Sequence, residues 1–187
     1  MSKLSALGES SGWNGCGINI ILKPDVKSRA ALEAIWLENA SKEHISVPAF
    51  SKLSMQLIAL GAPPELMEKV FRAASQEITH AMLCYSVASS LSGKAFSPDA
   101  MPEILKHSCE YDSLEKLILE CFSDGCLMEA LSAAHARESS LLAQEPVIKN
   151  VFDVIARDEQ FHADLSWEIV HFLQTKVSTS MKLILSS

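Results

Sequence analysis

Apolar residues recur every three or four positions over four long stretches of the chain, a spacing typical of amphipathic helices. Gly61 suits the end of the first stretch, because glycine readily takes the left-handed backbone of a helix terminus. Pro64 and Pro146 suit the first turns of the second and fourth stretches, where a missing N–H costs no helical hydrogen bond. The pattern therefore predicts four helices, at about residues 25–60, 64–92, 113–144 and 146–175.

The connections between these stretches differ in length, and this difference predicts the topology. A few residues join the first helix to the second and the third to the fourth, so each pair should form an antiparallel hairpin. The middle connection, at about residues 93–112, has about twenty residues and can run the length of a bundle at ~3.3 Å per residue. The expected fold is an all-α four-helix bundle of two antiparallel hairpins joined by a long crossover.

The remaining residues divide into two terminal segments. Residues 1–24 are rich in Gly and Ser and are predicted to form a flexible N-terminal segment, followed by the bundle at 25–175 and a Ser-rich tail at 176–187. Short apolar pieces at 18–22 and 183–185 could pair or dock on a neighbouring chain, which makes a homodimer one candidate assembly. No apolar run reaches the ~18 residues of a membrane span, so no membrane partner is expected.

Composition narrows the classes of function. Hydrophobic residues make up 48% of the chain and the formal net charge is −7, which favours a folded domain and argues against a nucleic-acid partner. The five cysteines form neither a Cys-x-x-Cys pair nor a zinc-knuckle spacing, and their odd number favours free thiols in a reducing cytoplasm.

Two Glu-x-x-His motifs, Glu77 to His80 and Glu159 to His162, occupy corresponding places in the second and fourth predicted helices. Residues three apart share a helix face, so each motif directs one carboxylate and one imidazole towards the same point. Both motifs fall on the apolar stripe of their helix, where a charged Glu must be paired or bind a metal. No Lys or Arg falls on these stripes.

The first and third helices each place one Glu, Glu43 and Glu129, on their apolar stripe. In the third helix this stripe also contains Ile118, Phe122, Gly125, Ala133, Ala136 and Ser140. Glu38 lies roughly 140° round the first helix from Glu43 and should be solvated. Each half of the chain thus contains a Glu, a hairpin turn and a Glu-x-x-His motif. Four carboxylates and two imidazoles form the ligand set of a dinuclear site, whose two divalent cations would neutralise the carboxylates. The predicted catalytic and metal-ligating residues are Glu43, Glu77, His80, Glu129, Glu159 and His162.

Residues that precede the motifs are expected to support these ligands. Asp158 could accept a hydrogen bond from the ring of a ligand imidazole and fix its tautomer. Gln76 occupies the equivalent place in the second helix and is a weaker acceptor. The sequence therefore predicts that the two metal positions are unequal.

Other residues near the ligands allow more than one interpretation. Cys84 lies one turn beyond His80 on the same face and is interpreted as a core thiol beside the site, with a redox role as the alternative. Small residues around Glu129, among them Gly125 and Ser132, fit either a pocket for dioxygen or substrate or close packing of helices.

The combined motifs resemble those of bacterial ferritin-like di-iron proteins over about residues 26–174. The resemblance rests on positions 43–50, 61–66, 77–81, 125–130 and 158–163. It implies a ferritin-like bundle with two bound iron ions, with manganese or a mixed iron–manganese pair as the alternative. The sequence departs from the family pattern at Pro48, which should kink the first helix, and at Gln76, where such proteins often have Asp.

The same resemblance implies an oxidoreductase that activates O2 or peroxide to oxidise a small organic substrate, as an oxygenase or oxidase. It fixes neither the substrate nor the electron donor. The alternatives are an iron-handling ferroxidase, a rubrerythrin-like peroxidase and a tRNA hydroxylase. The lack of a Cys-x-x-Cys module argues against the rubrerythrin-like alternative, and the net charge of −7 argues against tRNA.

Overall fold

The structure, a computed structural model, describes residues 5–6, 12–21, 24–104 and 113–185. The helical elements are α1 (Val26–Ala59), α2 (Pro64–Ser92), α3 (Leu114–Glu120), a π-helical segment (Cys121–Met128), α4 (Glu129–Leu142) and α5 (Pro146–Leu185). The strands are β1 (Ser5–Ala6) and β2 (Phe96–Ser97), which pair antiparallel. Because α3, the π segment and α4 are continuous, the described residues form four long helical runs. The predicted helical bundle is confirmed.

Local chemistry sets the helix ends close to where the sequence predicts them. The Asp25 carboxylate caps α1 by accepting hydrogen bonds from the backbone N–H groups of Lys27 and Ser28, at 3.0 and 3.1 Å. Gly61 after α1 and Gly93 after α2 both have positive φ, which glycine adopts without the steric cost of a side chain. Within the described part of the chain, no helix combines the length and the apolar character needed to cross a membrane.

The buried side chains form two apolar clusters, one towards each end of the bundle. The first cluster contains Trp36 of α1, the buried apolar residues between positions 81 and 91 of α2, and those between positions 151 and 156 of α5. The second cluster contains Phe50 of α1 together with the first turns of α2 and the middle of α5. The chain therefore passes from the first cluster to the second along α1 and returns along α2, so these helices are antiparallel.

The second hairpin runs between the same two clusters. Leu117 and Cys121 belong to the second cluster and Ala136 of α4 to the first, after which α5 returns. α2 ends in the first cluster and α3 begins in the second, so the two ends of the connection between them lie at opposite ends of the bundle. Residues 105–112 of this connection lie outside the described residues. The predicted crossover therefore lies partly outside the described residues.

The third helical run contains a π segment that the sequence pattern missed. A π-helix has i→i+5 hydrogen bonds and therefore more residues per turn than an α-helix. The predicted apolar stripe assumed the α-helical number of residues per turn. The predicted stripe is therefore wrong at Phe122, which is 38% exposed, whereas Cys121 and Cys126 are buried. From Glu129 onwards the α-helical repeat resumes, and Ala133 and Ala136 are buried as predicted.

α5 continues beyond the end that the sequence predicts, and α1 is continuous at Pro48, where the sequence predicts a kink. α5 runs to Leu185, beyond the end predicted near Thr175, because no Gly or Pro interrupts the chain there. The predicted C-terminal tail is thus largely a continuation of α5. α1 is a single helix through Pro48, which lacks the N–H of one internal hydrogen bond.

The described part of the N-terminal segment lies against the bundle. The backbone N–H groups of Cys16 and Ile20 donate hydrogen bonds to the hydroxyls of Ser86 and Ser90 on α2, at 3.2 and 3.1 Å. Trp13, one residue of this segment, also packs against the first cluster. The apolar piece at 18–22 forms no strand within its described residues 18–21, and the described strand pairing is between β1 and β2.

We predict that Gly125→Ala destabilises the protein. A Cβ at residue 125 would lie 2.7 Å from Ser166 Cβ on α5, and overpacking of this kind costs about 1–3 kcal/mol. Ser166→Gly removes the clashing atoms, so adding Gly125→Ala to that variant should cost little. Urea unfolding of the wild type, both single variants and the double variant measures the coupling. Simple additivity of the two free-energy changes would contradict the close approach of the π segment to α5.

Candidate metal centre

The six predicted ligands converge at one place in the bundle. Two groups of four residues form there, and within each group one donor atom per residue lies within 4.8 Å of the others. Glu77 and Glu159 belong to both groups. We define the His80 position as Glu43, Glu77, His80 and Glu159, and the His162 position as Glu77, Glu129, Glu159 and His162.

The donors occupy the layer in which the two apolar clusters meet. On α2, Ala73 belongs to the second cluster and Ala81 to the first, and Glu77 and His80 lie between them. The helical repeat keeps the donors on the same face as the apolar residues above and below. The donor cluster therefore replaces one layer of the apolar core at the middle of the bundle.

Both imidazoles direct Nδ1 towards the carboxylates. His80 Nδ1 lies 3.1 Å from Glu159 Oε1 and 3.3 Å from Glu43 Oε2. His162 Nδ1 lies 2.9 Å from Glu77 Oε1 and 3.9 Å from Glu159 Oε2. The two imidazoles are fully buried, with ring centroids 5.8 Å apart. One imidazole therefore belongs to each of the two donor groups.

The outer nitrogens of the imidazoles are bound crosswise between α2 and α5. His80 Nε2 lies 3.4 Å from Asp158 Oδ2, and His162 Nε2 lies 3.2 Å from Gln76 Oε1. Arg157 donates a hydrogen bond of 2.9 Å to the other oxygen of Asp158. When each Nε2–H donates to its outer partner, each Nδ1 keeps a lone pair for a metal ion. The sequence predicted an imidazole partner for Asp158 but did not identify the helix that supplies it.

Three buried polar atoms of the cluster make no hydrogen bond: Glu77 Oε1, His80 Nδ1 and His162 Nδ1. Glu77 Oε1 and His162 Nδ1 are close, but their orientation does not form a hydrogen bond. Such an atom costs about 1–3 kcal/mol when buried, and no Lys or Arg is among the buried residues that the structure describes. Because these lone pairs converge within one compact donor set, the residues fit a bound cation.

Without a cation, the carboxylates oppose one another's ionisation. Burial raises the pKa of Glu77 to about 10, and the negative charges of Glu159 and Glu43 add to the shift. Burial also raises the pKa of Glu129 to about 11, together with a hydrogen bond to Glu159. A bound cation would reverse this preference, because it favours the ionised carboxylates.

The two imidazoles differ in their electrostatic surroundings. Burial would lower the pKa of His80, but the nearby carboxylates of Asp158, Glu159 and Glu43 outweigh burial and hold the pKa well above its usual value. Burial lowers the pKa of His162 to about 4. Burial would raise the pKa of Asp158, but hydrogen bonds to His80 and Arg157 lower it to about 2. The outer partner of His80 is thus a carboxylate that stays ionised.

Two cavities reach the donor cluster. The smaller, about 220 Å³, is lined by the four carboxylates of the cluster and by Cys84. The larger, about 480 Å³, lies between α1 and the π segment and is lined by Glu129, Gly125 and Ser132. Gly125 also lies close to Ser166, so both interpretations of the small residues apply to this region. The larger cavity results from the packing of separate helices. In the sequence, only the small side chains of Gly125 and Ser132 indicate it.

Two further residues lie as the sequence predicts. Cys84 is fully buried beside the cluster, and burial raises the pKa of its thiol well above the usual value. The side chain is therefore a neutral thiol. Glu38 is exposed on the opposite side of α1, where it pairs with Lys42 at 2.7 Å.

No protein-family model, curated protein or solved structure matches the chain. The sequence and the geometry therefore define the class of protein by themselves. It is a helical bundle whose buried Glu and His residues are able to hold a metal ion.

We predict that the metal-free protein loses stability as the pH rises from about 5 towards 9. In the folded chain Glu77 and Glu129 have pKa values of about 10 and 11, against a usual value of 4.5. The unfolded chain therefore binds fewer protons over this range, and the free energy of unfolding falls with pH. Chemical denaturation of the chelated protein at several pH values measures this slope.

Substitution of the same two residues provides the control for this pH dependence. The double variant Glu77→Gln, Glu129→Gln should have a smaller slope, because neither amide titrates. Glu38→Gln, at an exposed carboxylate, should leave the slope unchanged. A slope that survives the double substitution in full would contradict the role of the buried carboxylates.

Proposed function

We propose that the protein is a ferritin-like oxidoreductase that uses two iron ions and O2 or peroxide to oxidise a small organic substrate. The observation that carries this proposal is the pair of four-donor groups that share Glu77 and Glu159. A carboxylate has two oxygens, so each shared Glu has a donor atom for each of two ions. Two Glu-x-x-His motifs and two further Glu residues, carried by four helical runs, support the ferritin-like assignment.

The donor set favours iron, with manganese or a mixed pair as the alternative. Carboxylate oxygens and imidazole nitrogens suit these metals, and the set lacks the thiolates of a structural zinc site. When bound, an iron pair supplies the capacity to activate O2 or peroxide. All other contributions come from the side chains of the chain itself.

These side chains hold the ligands in place and exclude water. Asp158 and Gln76 fix the orientation of the two imidazoles from the outside. Phe50 packs its ring against His162, with centroids 5.3 Å apart, and also lines the larger cavity. The apolar clusters above and below shield the donors from water on two sides, which strengthens the electrostatic interactions among them.

The larger cavity favours oxidation of an organic molecule over storage of iron. Its volume of about 480 Å³ lies within the range of small-molecule sites. Apolar side chains such as Phe50 and Leu53 line it together with the charged side chains of Lys52 and Asp124. A small substrate with an apolar body and a polar group would fit this space next to Glu129.

We predict that the wild-type protein binds about two iron ions per chain under anaerobic conditions and consumes O2 on exposure to air. Glu159→Ala removes a donor from both metal positions, so it should reduce iron binding at both and abolish O2 consumption. Glu38→Ala alters an exposed carboxylate of α1 and should leave both properties unchanged. Iron analysis of the desalted protein and an oxygen electrode provide the two readouts.

A different experimental result would contradict each part of this proposal. A wild-type chain that binds at most one iron would overturn the dinuclear site. Two bound irons without consumption of O2 or peroxide would overturn the oxidoreductase and leave the metal centre. Loss of iron in Glu38→Ala would show that the ligand face of α1 is wrong.

A further inference from the structure

The two metal positions have matching inner donors but different outer partners. Each has one imidazole, one carboxylate of its own and the two shared carboxylates. The outer nitrogen of His80 contacts the carboxylate of Asp158, whereas that of His162 contacts the neutral amide of Gln76. The internal symmetry of the centre is therefore broken at one pair of side chains.

This difference changes the donor strength of the two imidazoles. A hydrogen bond to a carboxylate is stronger than one to a neutral amide and makes the imidazole a more basic ligand. The side chain of Asp158 is only 4% exposed, so its negative charge acts through the low-dielectric interior. The positive charge of Arg157, which pairs with it, belongs to a side chain that is 69% exposed and is screened by water.

The surroundings of His162 contain an additional positive charge. The Arg72 guanidinium lies 4.4 Å from the ring centroid of Phe161, the residue before His162. The rings of Phe161 and His162 are themselves in contact, with centroids 6.0 Å apart. The charge of Arg72 acts in the same direction as the neutral Gln76, but Arg72 is exposed, so water screens its charge as it screens that of Arg157.

We infer that the two positions bind metal with unequal affinity, such that the His80 position fills first and the His162 position holds the more exchangeable ion. This inference rests on the dinuclear site of the proposed function. Removal of an outer partner typically costs 10–100-fold in metal affinity, which sets the expected difference at roughly tenfold or more. Gln76 and Asp158 act through the imidazoles and are positioning residues.

The position of the exchangeable ion relates to the larger cavity. Glu129 belongs to the His162 position and lines that cavity, whereas Glu43 lines only the smaller of the two cavities described above. The weaker ion is therefore the one next to the space assigned to the substrate. Two different metals added in sequence should accordingly take the two positions in a defined order.

Titration of the metal-free full chain with Co²⁺ against a competing chelator tests this inference. Gln76→Glu should tighten the weaker of the two dissociation constants by roughly tenfold and leave the stronger one nearly unchanged. Asp158→Asn should weaken the stronger constant by roughly 10–100-fold. Thr79→Glu adds the same charge to α2 at an exposed residue next to His80 and should change neither constant by more than about twofold.

Occupancy assigns each constant to its position. Anomalous scattering from crystals grown with one Co²⁺ per chain should show more metal at His80 than at His162 in the wild type, and a more even distribution in Gln76→Glu. Equal occupancy in the wild type, or equal shifts of both constants in either variant, would overturn the inference. A chain that binds no Co²⁺ would overturn it together with the proposed function. Unequal binding in a protein that consumes no O2 would support it and overturn only the oxidoreductase.

Discussion

Four carboxylates and two imidazoles share one layer at the middle of the bundle. The burial of these groups costs free energy, and the rest of the structure has to compensate for that cost. Carboxylates buried without a cation repel each other and retain protons, as the raised pKa values of Glu77 and Glu129 show. The apolar core is consequently divided into two clusters, one on each side of the polar layer. These clusters hold the four helical runs together, while the donors between them contribute stability only when their charge is compensated.

The contacts between α2 and α5 convert this layer into a defined geometry. Each imidazole directs one nitrogen to the carboxylates and the other to a residue on the opposite helix. Asp158 and Gln76 each precede a shared Glu, so the same stretch of helix that supplies a donor also orients the imidazole opposite. A displacement of one helix along the other by a turn would break both outer contacts and separate the shared carboxylates. Polar groups that must meet particular partners fix the alignment of two helices, whereas apolar side chains alone can pack at several alignments.

The sequence predicted the helices and the donor cluster because both follow from the α-helical repeat and from Gly and Pro at the turns. Glu43, Glu77 and Glu159 lie where a regular helix places them. The repeat failed at Phe122, since a π segment changes the number of residues per turn and no single residue type marks that change. The larger cavity and the crosswise pairing of Gln76 with His162 depend on the packing of separate helices. Periodicity within one helix carries no information about such contacts.

Because Glu77 and Glu159 belong to both metal positions, they also affect how the metal-bound protein would unfold. The first hairpin supplies three donors of the His80 position and the second hairpin supplies one; at the His162 position these contributions are reversed. A metal ion at either position would therefore be a cross-link between two hairpins that are otherwise held by apolar contacts and by polar contacts such as that of His80 with Asp158. Separation of the hairpins would have to wait for metal to dissociate, so the lifetime of the folded, loaded chain would follow a ligand-exchange rate.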